Sequence, residues 1–180
     1  MQEILTILDA MLAKKGEVAD ARELLFDVAE RVVKAVAAAF GTKTEEVGIL
    51  LATSDGRHLR FIAPRRFIDL ATIPVTKRDS IAVGVFNRKV GEALNNVPLV
   101  RHVTFFESVK IKDRVSPPIQ KMVTVPILHQ GQPIGVAQIS RKGESPAAAG
   151  ADFTPADVRR AQELFEALAG RLAAARFDGF

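Results

Sequence analysis

Two seven-residue runs, Met122-Val123-Thr124-Val125-Pro126-Ile127-Leu128 and Ile134-Gly135-Val136-Ala137-Gln138-Ile139-Ser140, flank the polar stretch His129-Gln130-Gly131-Gln132-Pro133. Short runs rich in β-branched residues make strands, and a Gly-containing polar connection folds two of them into an antiparallel hairpin. An isolated hairpin is marginal in water, so the rest of the chain has to extend it sideways and cover it.

A second pair supplies the extension. Val47-Gly48-Ile49-Leu50-Leu51-Ala52-Thr53 and His58-Leu59-Arg60-Phe61-Ile62-Ala63 lie on either side of Ser54-Asp55-Gly56-Arg57. The Asp-Gly turn predicts a hairpin in which Arg57, Leu59, Phe61 and Ala63 face opposite to His58, Arg60 and Ile62. Residues 91–96 read as one more short strand.

Helical spacing accounts for the cover. Ile4, Leu5, Leu8, Met11 and Leu12 form one face of a short first helix that stops at Lys14-Lys15-Gly16. Over 17–40, Ala21, Leu24, Leu25, Val28, Val32 and Val36 share a stripe, and Gly41 closes that helix. Ser80 caps a helix over 81–88. Thr154, Pro155 and Asp157 form a capping box for a last helix whose apolar face is Val158, Ala161, Leu164, Phe165, Leu168 and Leu172. Residues 142–151, rich in Gly, Pro, Ser and Ala, read as a flexible loop, and 98–118 as a long irregular connection. The class is α+β: a central antiparallel sheet flanked by helices. The domain division expected is an N-terminal helix at 1–16, one domain at 17–176 and a tail at 177–180.

At 180 residues with 48% hydrophobic content the chain supplies one core. It has no apolar run long enough to span a bilayer and no secretory leader at its start, which gives a cytoplasmic expectation without membrane partners. Cysteine is absent, and with it disulfides, thiol nucleophiles and thiolate ligands. Of the net charge of +4, the stretch 54–121 carries 13 Lys and Arg against 6 Asp and Glu, so the flanks are net acidic.

The run Val125-Pro126-Ile127-Leu128-His129-Gln130-Gly131-Gln132-Pro133-Ile134-Gly135-Val136, then Ser140-Arg141-Lys142-Gly143 and Asp152-Phe153-Thr154-Pro155-Ala156-Asp157, resembles the C-terminal half of a GAF domain. Residues 80–95 resemble the family's preceding helix and short strand. The resemblance implies a sheet with a helix layer and dimer surface on one face, and on the other a ligand pocket roofed by the irregular connection. It implies a non-catalytic sensory or regulatory role, signalling through a homodimer or a separate downstream protein. For the first helix the bland reading is that it folds back on its own domain.

Within that resemblance the ligand-binding candidates are Arg101, His102, Phe105, Lys110, Lys112 and Arg114, with Lys121 beside them, a basic set suited to an anionic small molecule. The alternative is a solvated loop, with Phe105 and Phe106 anchoring it to the core. The family's cyclic-nucleotide pattern is matched by Lys142, Phe153 and Asp157 but not at Arg141 and Val158, and capping alone explains Phe153 and Asp157. A covalent bilin and reduction of free methionine sulfoxide both need the missing cysteine. His58, His102 and His129 lack metal-ligand spacing; His58 and His129 read as solvent-exposed, and haem on His102 is disfavoured. No catalytic residue, cofactor or metal is expected. Nucleic acid has only the basic excess in its favour, with no recognition motif or aromatic stripe.

Overall fold

The computed structural model describes residues 1–17, 20–68, 72–100, 117–177 and 180. Among these residues six strands form one antiparallel sheet: β1 (Val47–Ala52), β2 (His58–Ala63), β3 (Thr72–Pro74), β4 (Glu92–Leu94), β5 (Ile119–His129) and β6 (Gln132–Lys142), in the order β3-β2-β1-β6-β5-β4. The β5–β6 hairpin is longer than its apolar runs, because the five polar residues contract to a two-residue turn. Gln130 and Gly131 both have positive φ, 51° and 74°, as a hairpin turn that matches strand twist requires. Gly135 lies against the neighbouring strand so closely that a Cβ there would meet the Leu50 carbonyl oxygen at 2.2 Å. The side-by-side packing of β6 and β1 depends on that missing side chain.

Facing along β2 departs from strict alternation. Ile49 pairs with Ala63 and Leu50 with Phe61, so Ile62 is an extra residue on the bulged strand. Leu59 and Phe61 stay on one face, while Ile62 and Ala63 both join the core on the other.

Among the described residues four α-helices cover the sheet: α1 (Gln2–Ala13), α2 (Ala21–Phe40), α3 (Ile81–Arg88) and α4 (Pro155–Ala175). The helix expected over 17–40 starts only at Ala21, because the Asp20 side chain accepts from the Arg22 N–H at 2.8 Å and caps it there, leaving Lys15–Glu17 as a separate turn. Gly41, at φ 60°, ends it. Ser80 caps α3 through the Val83 N–H, and Thr154 and Asp157 form the reciprocal capping box of α4.

On one face of the sheet, α2 and α4 bury Val28, Val32, Phe165 and Leu168 against Ile49, Val125, Ile127 and Ile139. Each such side chain contributes about 1.5–3 kcal/mol by leaving water. Helix α1 lies across both helices: Leu8 is fully buried, Asp9 pairs with Arg171 at 2.8 Å, and the Lys15 ammonium donates to the Ala174 and Arg176 carbonyls at the end of α4. The first helix therefore folds back on its own domain. The opposite face carries α3, whose Ala82, Val83, Val85 and Phe86 pack on Leu50, Leu59, Phe61 and Val136. A third apolar cluster, Val97, Ile119 and Met122 with Ile81 and Leu94 against it, sits beside α3.

The stretch 142–151 is tied down. Gln120 Nε2 donates to the Gly143 carbonyl at 2.8 Å, Lys121 Nζ donates to that of Gly150, and a Cβ on Gly143 would lie 2.7 Å from the Ala149 nitrogen. In 177–180, Phe180 is buried and a carbonyl oxygen of it accepts from both the N–H and the Oγ of Ser54. No helix among the described residues is long and apolar enough to cross a membrane.

Candidate functional site

The two faces of the sheet differ in chemistry. Toward α2 and α4, β5 and β6 present Val123, Val125, Ile127, Ala137 and Ile139, all apolar. Toward α3 the alternate positions include buried polar side chains: Thr124 on β5, and Gln138 and Ser140 on β6. Strand register places these in order. Gly48 of β1 pairs with Gln138, Gln138 with Thr124, and Thr124 with Glu92 of β4, so one level of the sheet carries a polar row across four neighbouring strands. An apolar level of Leu50, Val136 and Pro126 flanks it on one side, and Met122 and Leu94, with Ser140 paired to Met122, on the other.

The row is hydrogen-bonded within itself and to its surroundings. Gln138 Nε2 lies 3.4 Å from Thr124 Oγ1, and the Glu92 carboxylate accepts from Arg88 at 2.8 Å at the end of α3; at the next level, outside the row, Ser140 Oγ donates to the Glu46 carbonyl at 2.9 Å. A carboxamide and a hydroxyl inside a sheet cost free energy unless partnered, and the long Gln138–Thr124 contact is a weak partnership. Gly48 contributes no side chain next to Gln138. The row is the one place among the described strands where the core offers several hydrogen-bonding groups to whatever lies over the sheet.

Arg101, His102, Phe105, Lys110, Lys112 and Arg114 lie outside the described residues. The described chain stops at Val100, next to the buried Val97, and resumes at Pro117 just before Ile119. Both ends of the intervening stretch thus adjoin the third cluster on the α3 side. Lys121 does not join a basic site: its side chain is 5% exposed, and it pairs with Asp152 at 2.7 Å. Its ammonium is used up holding the 142–151 stretch to β5. Arg141 is likewise engaged, donating to the Ala151 carbonyl and stacking on the Phe153 ring at 4.2 Å from its centroid.

The partial cyclic-nucleotide pattern resolves into helix structure. The Asp157 carboxylate accepts from the Thr154 N–H at 2.7 Å and its hydroxyl at 2.8 Å, which holds its pKa below the usual carboxylate range, and Phe153 is buried in the core. His58 and His129 are half-buried, where solvent exposure was expected. His129 leans on Gly170 of α4, where a Cβ would meet its ring at 3.7 Å. Among the described residues no group of His, Asp and Glu is placed to hold a metal ion. The cross-strand row was missed because each member looks like an ordinary strand residue. Its one signal is that Thr124 and Gln138 interrupt apolar runs at the positions facing away from Val123, Val125, Ala137 and Ile139.

No protein-family model matches the chain, and no curated protein is similar to it in sequence. Solved structures are similar in fold. The GAF domain of a phosphoenolpyruvate-protein phosphotransferase from Acinetobacter superposes with a TM-score of 0.60 at 17% identity, covering 96% of this chain and 94% of that one. Residues 122 to 287 of a methyl-accepting chemotaxis protein give 0.63 at 15% identity, covering 92% and 96%. A free methionine-R-sulfoxide reductase from Neisseria meningitidis, solved in complex with its substrate, gives 0.57 at 19% identity, covering 96% and 90%. Likeness at these identities concerns the backbone, and it extends over nearly the whole of both partners. The chain has the fold of a GAF domain.

Proposed function

We propose that this chain is a non-catalytic sensory or regulatory domain that binds a small molecule on the α3 face of its sheet. The observation that carries the reading is the polar row Gln138–Thr124–Glu92, buried at Gln138 and Thr124 and half-buried at Glu92, on the face of the sheet away from the α2–α4 layer. A ligand lying there meets amide, hydroxyl and carboxylate groups at one level, the apolar Leu50, Val136 and Pro126 on one side, and Met122 and Leu94 beside the Ser140 hydroxyl on the other, the mix that orients a small molecule. The basic residues Arg101, Lys110, Lys112 and Arg114 favour an anionic one, with His102 and Phe105 as further contacts. Occupancy is passed on through the helix layer, to a second copy of the chain or to a separate protein.

The reductase in the comparisons shares the fold, so fold does not decide between sensing and chemistry. The non-catalytic reading rests on composition. Without cysteine the chain has no thiol for redox or nucleophilic work, and the row holds no activated hydroxyl: the nearest described partner of Thr124 is an amide.

A thermal-shift screen of nucleotides, amino acids and organic acids, with mass spectrometry of the purified protein for a carried ligand, tests the reading. One chemical class should raise the melting temperature by several degrees. Arg101→Ala and Lys112→Ala should weaken that shift and leave the unliganded melt in place. A protein indifferent to the whole panel would point instead to a ligand-free interaction module.

A further inference from the structure

Strand β4 is three residues long and stands at the sheet edge, yet both of its ends are fixed to the start of α4. At one end, Gly91 abuts the helix so closely that a Cβ there would meet Val158 Cγ1 at 3.0 Å. At the other, the Asn95 side chain makes two hydrogen bonds to the peptide of one residue. Its Nδ2 donates to the Phe153 carbonyl at 2.9 Å, and its Oδ1 accepts from the Phe153 N–H at 2.8 Å. The carboxamide acts as one extra rung of ladder, joining the strand end to the residue before the Thr154 cap.

Phe153 is itself anchored, with its ring in the main core and Arg141 stacked on it. On the other side of Asn95, two residues on, Val97 is buried with Met122 and Ile119, and Ile81 of α3 and Leu94 pack against them. Asn95 thus stands between two separate apolar clusters, one on the α3 face and one containing α4. Within the strands, successive side chains point to opposite faces, so a residue that reaches both clusters has to stand at a strand end, as Asn95 does.

We infer that Asn95 is a positioning residue that couples the α3 face of the sheet to the N-terminus of α4. A shift of the Val97–Met122 cluster moves the end of β4, and the two-point carboxamide bond carries the shift to Phe153 and the α4 cap. From there α4 runs 21 residues to Ala175, about 30 Å, and ends against α1. The inference rests on the sensory reading for its use, but its test needs no ligand, so the failure of one is distinguishable from the failure of the other.

The test is a mutant cycle read by amide hydrogen exchange on the full chain. Val97→Ala perturbs the α3-face cluster; the readouts are the Asp157 and Val158 amides, which close the first turn of α4 on Thr154. Central α2 amides report the general loss of stability. In the Asn95 background, Val97→Ala should reduce protection at Asp157 and Val158 by about tenfold more than in central α2. In the Asn95→Ala background that excess should vanish. The same excess in both backgrounds, or none in the first, would overturn the inference. If Asn95→Ala does not fold, Asn95→Asp serves: it keeps the acceptor for the Phe153 N–H, loses the donor to its carbonyl, and should cut the excess in part. An unchanged excess in that variant would also overturn it.

Discussion

Gly135 and Glu46 show how single residues set the junction of β1 and β6 at the centre of this sheet. With the Leu50 carbonyl 2.2 Å from where its Cβ would stand, Gly135→Ala forces β6 away from β1 and should cost about 3 kcal/mol, visible as a large drop in the urea midpoint. Glu46 works by hydrogen bonding. Its burial disfavours the charge, but Thr42 Oγ1 at 2.6 Å and the N–H groups of Lys43 and Lys142 at 3.0 Å outweigh it, so its pKa lies below the ordinary 4.5. A carboxyl with a lowered folded-state pKa stabilises the fold fully above its unfolded value and loses that contribution as pH falls through the folded one. Glu46→Gln should therefore melt below the parent at pH 7, and the gap should close as pH is taken below 4.5. A gap that stays constant with pH would mean the carboxylate charge contributes nothing.

Among elements, the β5–β6 hairpin and α1 make opposite cases. The hairpin is local: turn, register and facing all follow from 20 or so contiguous residues. Its one local misfit is Gln130 at φ 51°, a conformation Asn tolerates better. Gln130→Asn should raise stability by about 0.5 kcal/mol without changing the fold, measurable as a small rise in melting temperature. Helix α1 is held from a distance. Leu8→Ala should cost about 2–5 kcal/mol, because the side chain is fully enclosed by the helix layer. Asp9→Ala removes only an exposed ion pair to Arg171, and chemical denaturation should find its effect far smaller.

For the molecule as a whole, the central contrast is between a dry sheet face under α2 and α4 and a face under α3 that carries a polar row. Replacing both members of the weak Gln138–Thr124 contact, as Thr124→Val with Gln138→Leu, should leave unliganded stability within about 1 kcal/mol, since no lone polar group is left behind. The same double variant should lose the melting-temperature rise given by any stabilising small molecule. Retention of the full rise would place that molecule elsewhere.

Much of this architecture is written locally. Capping residues, turn glycines and apolar spacing mark α1, α3, α4 and both hairpins, because those devices act over a single turn of chain, although β5 begins at Ile119, three residues before its apolar run. Even so, the Asp20 cap starts α2 at Ala21 and not at 17, and the bulge at Ile62 turned Ala63 over, both through bonds that periodicity does not register. What only tertiary structure decided is adjacency. Gly48, Gln138, Thr124 and Glu92 come from four strands spread over 91 positions of chain and form a row solely because the strands pair in the order β1-β6-β5-β4. Lys121 reads as one more cation beside the basic connection, and Asn95 as an ordinary residue of a short strand, until Asp152 and Phe153 are folded against them. Side-chain type and spacing carry the local bonds, whereas a partner brought in from 31 or 58 residues away exists only once the sheet has closed.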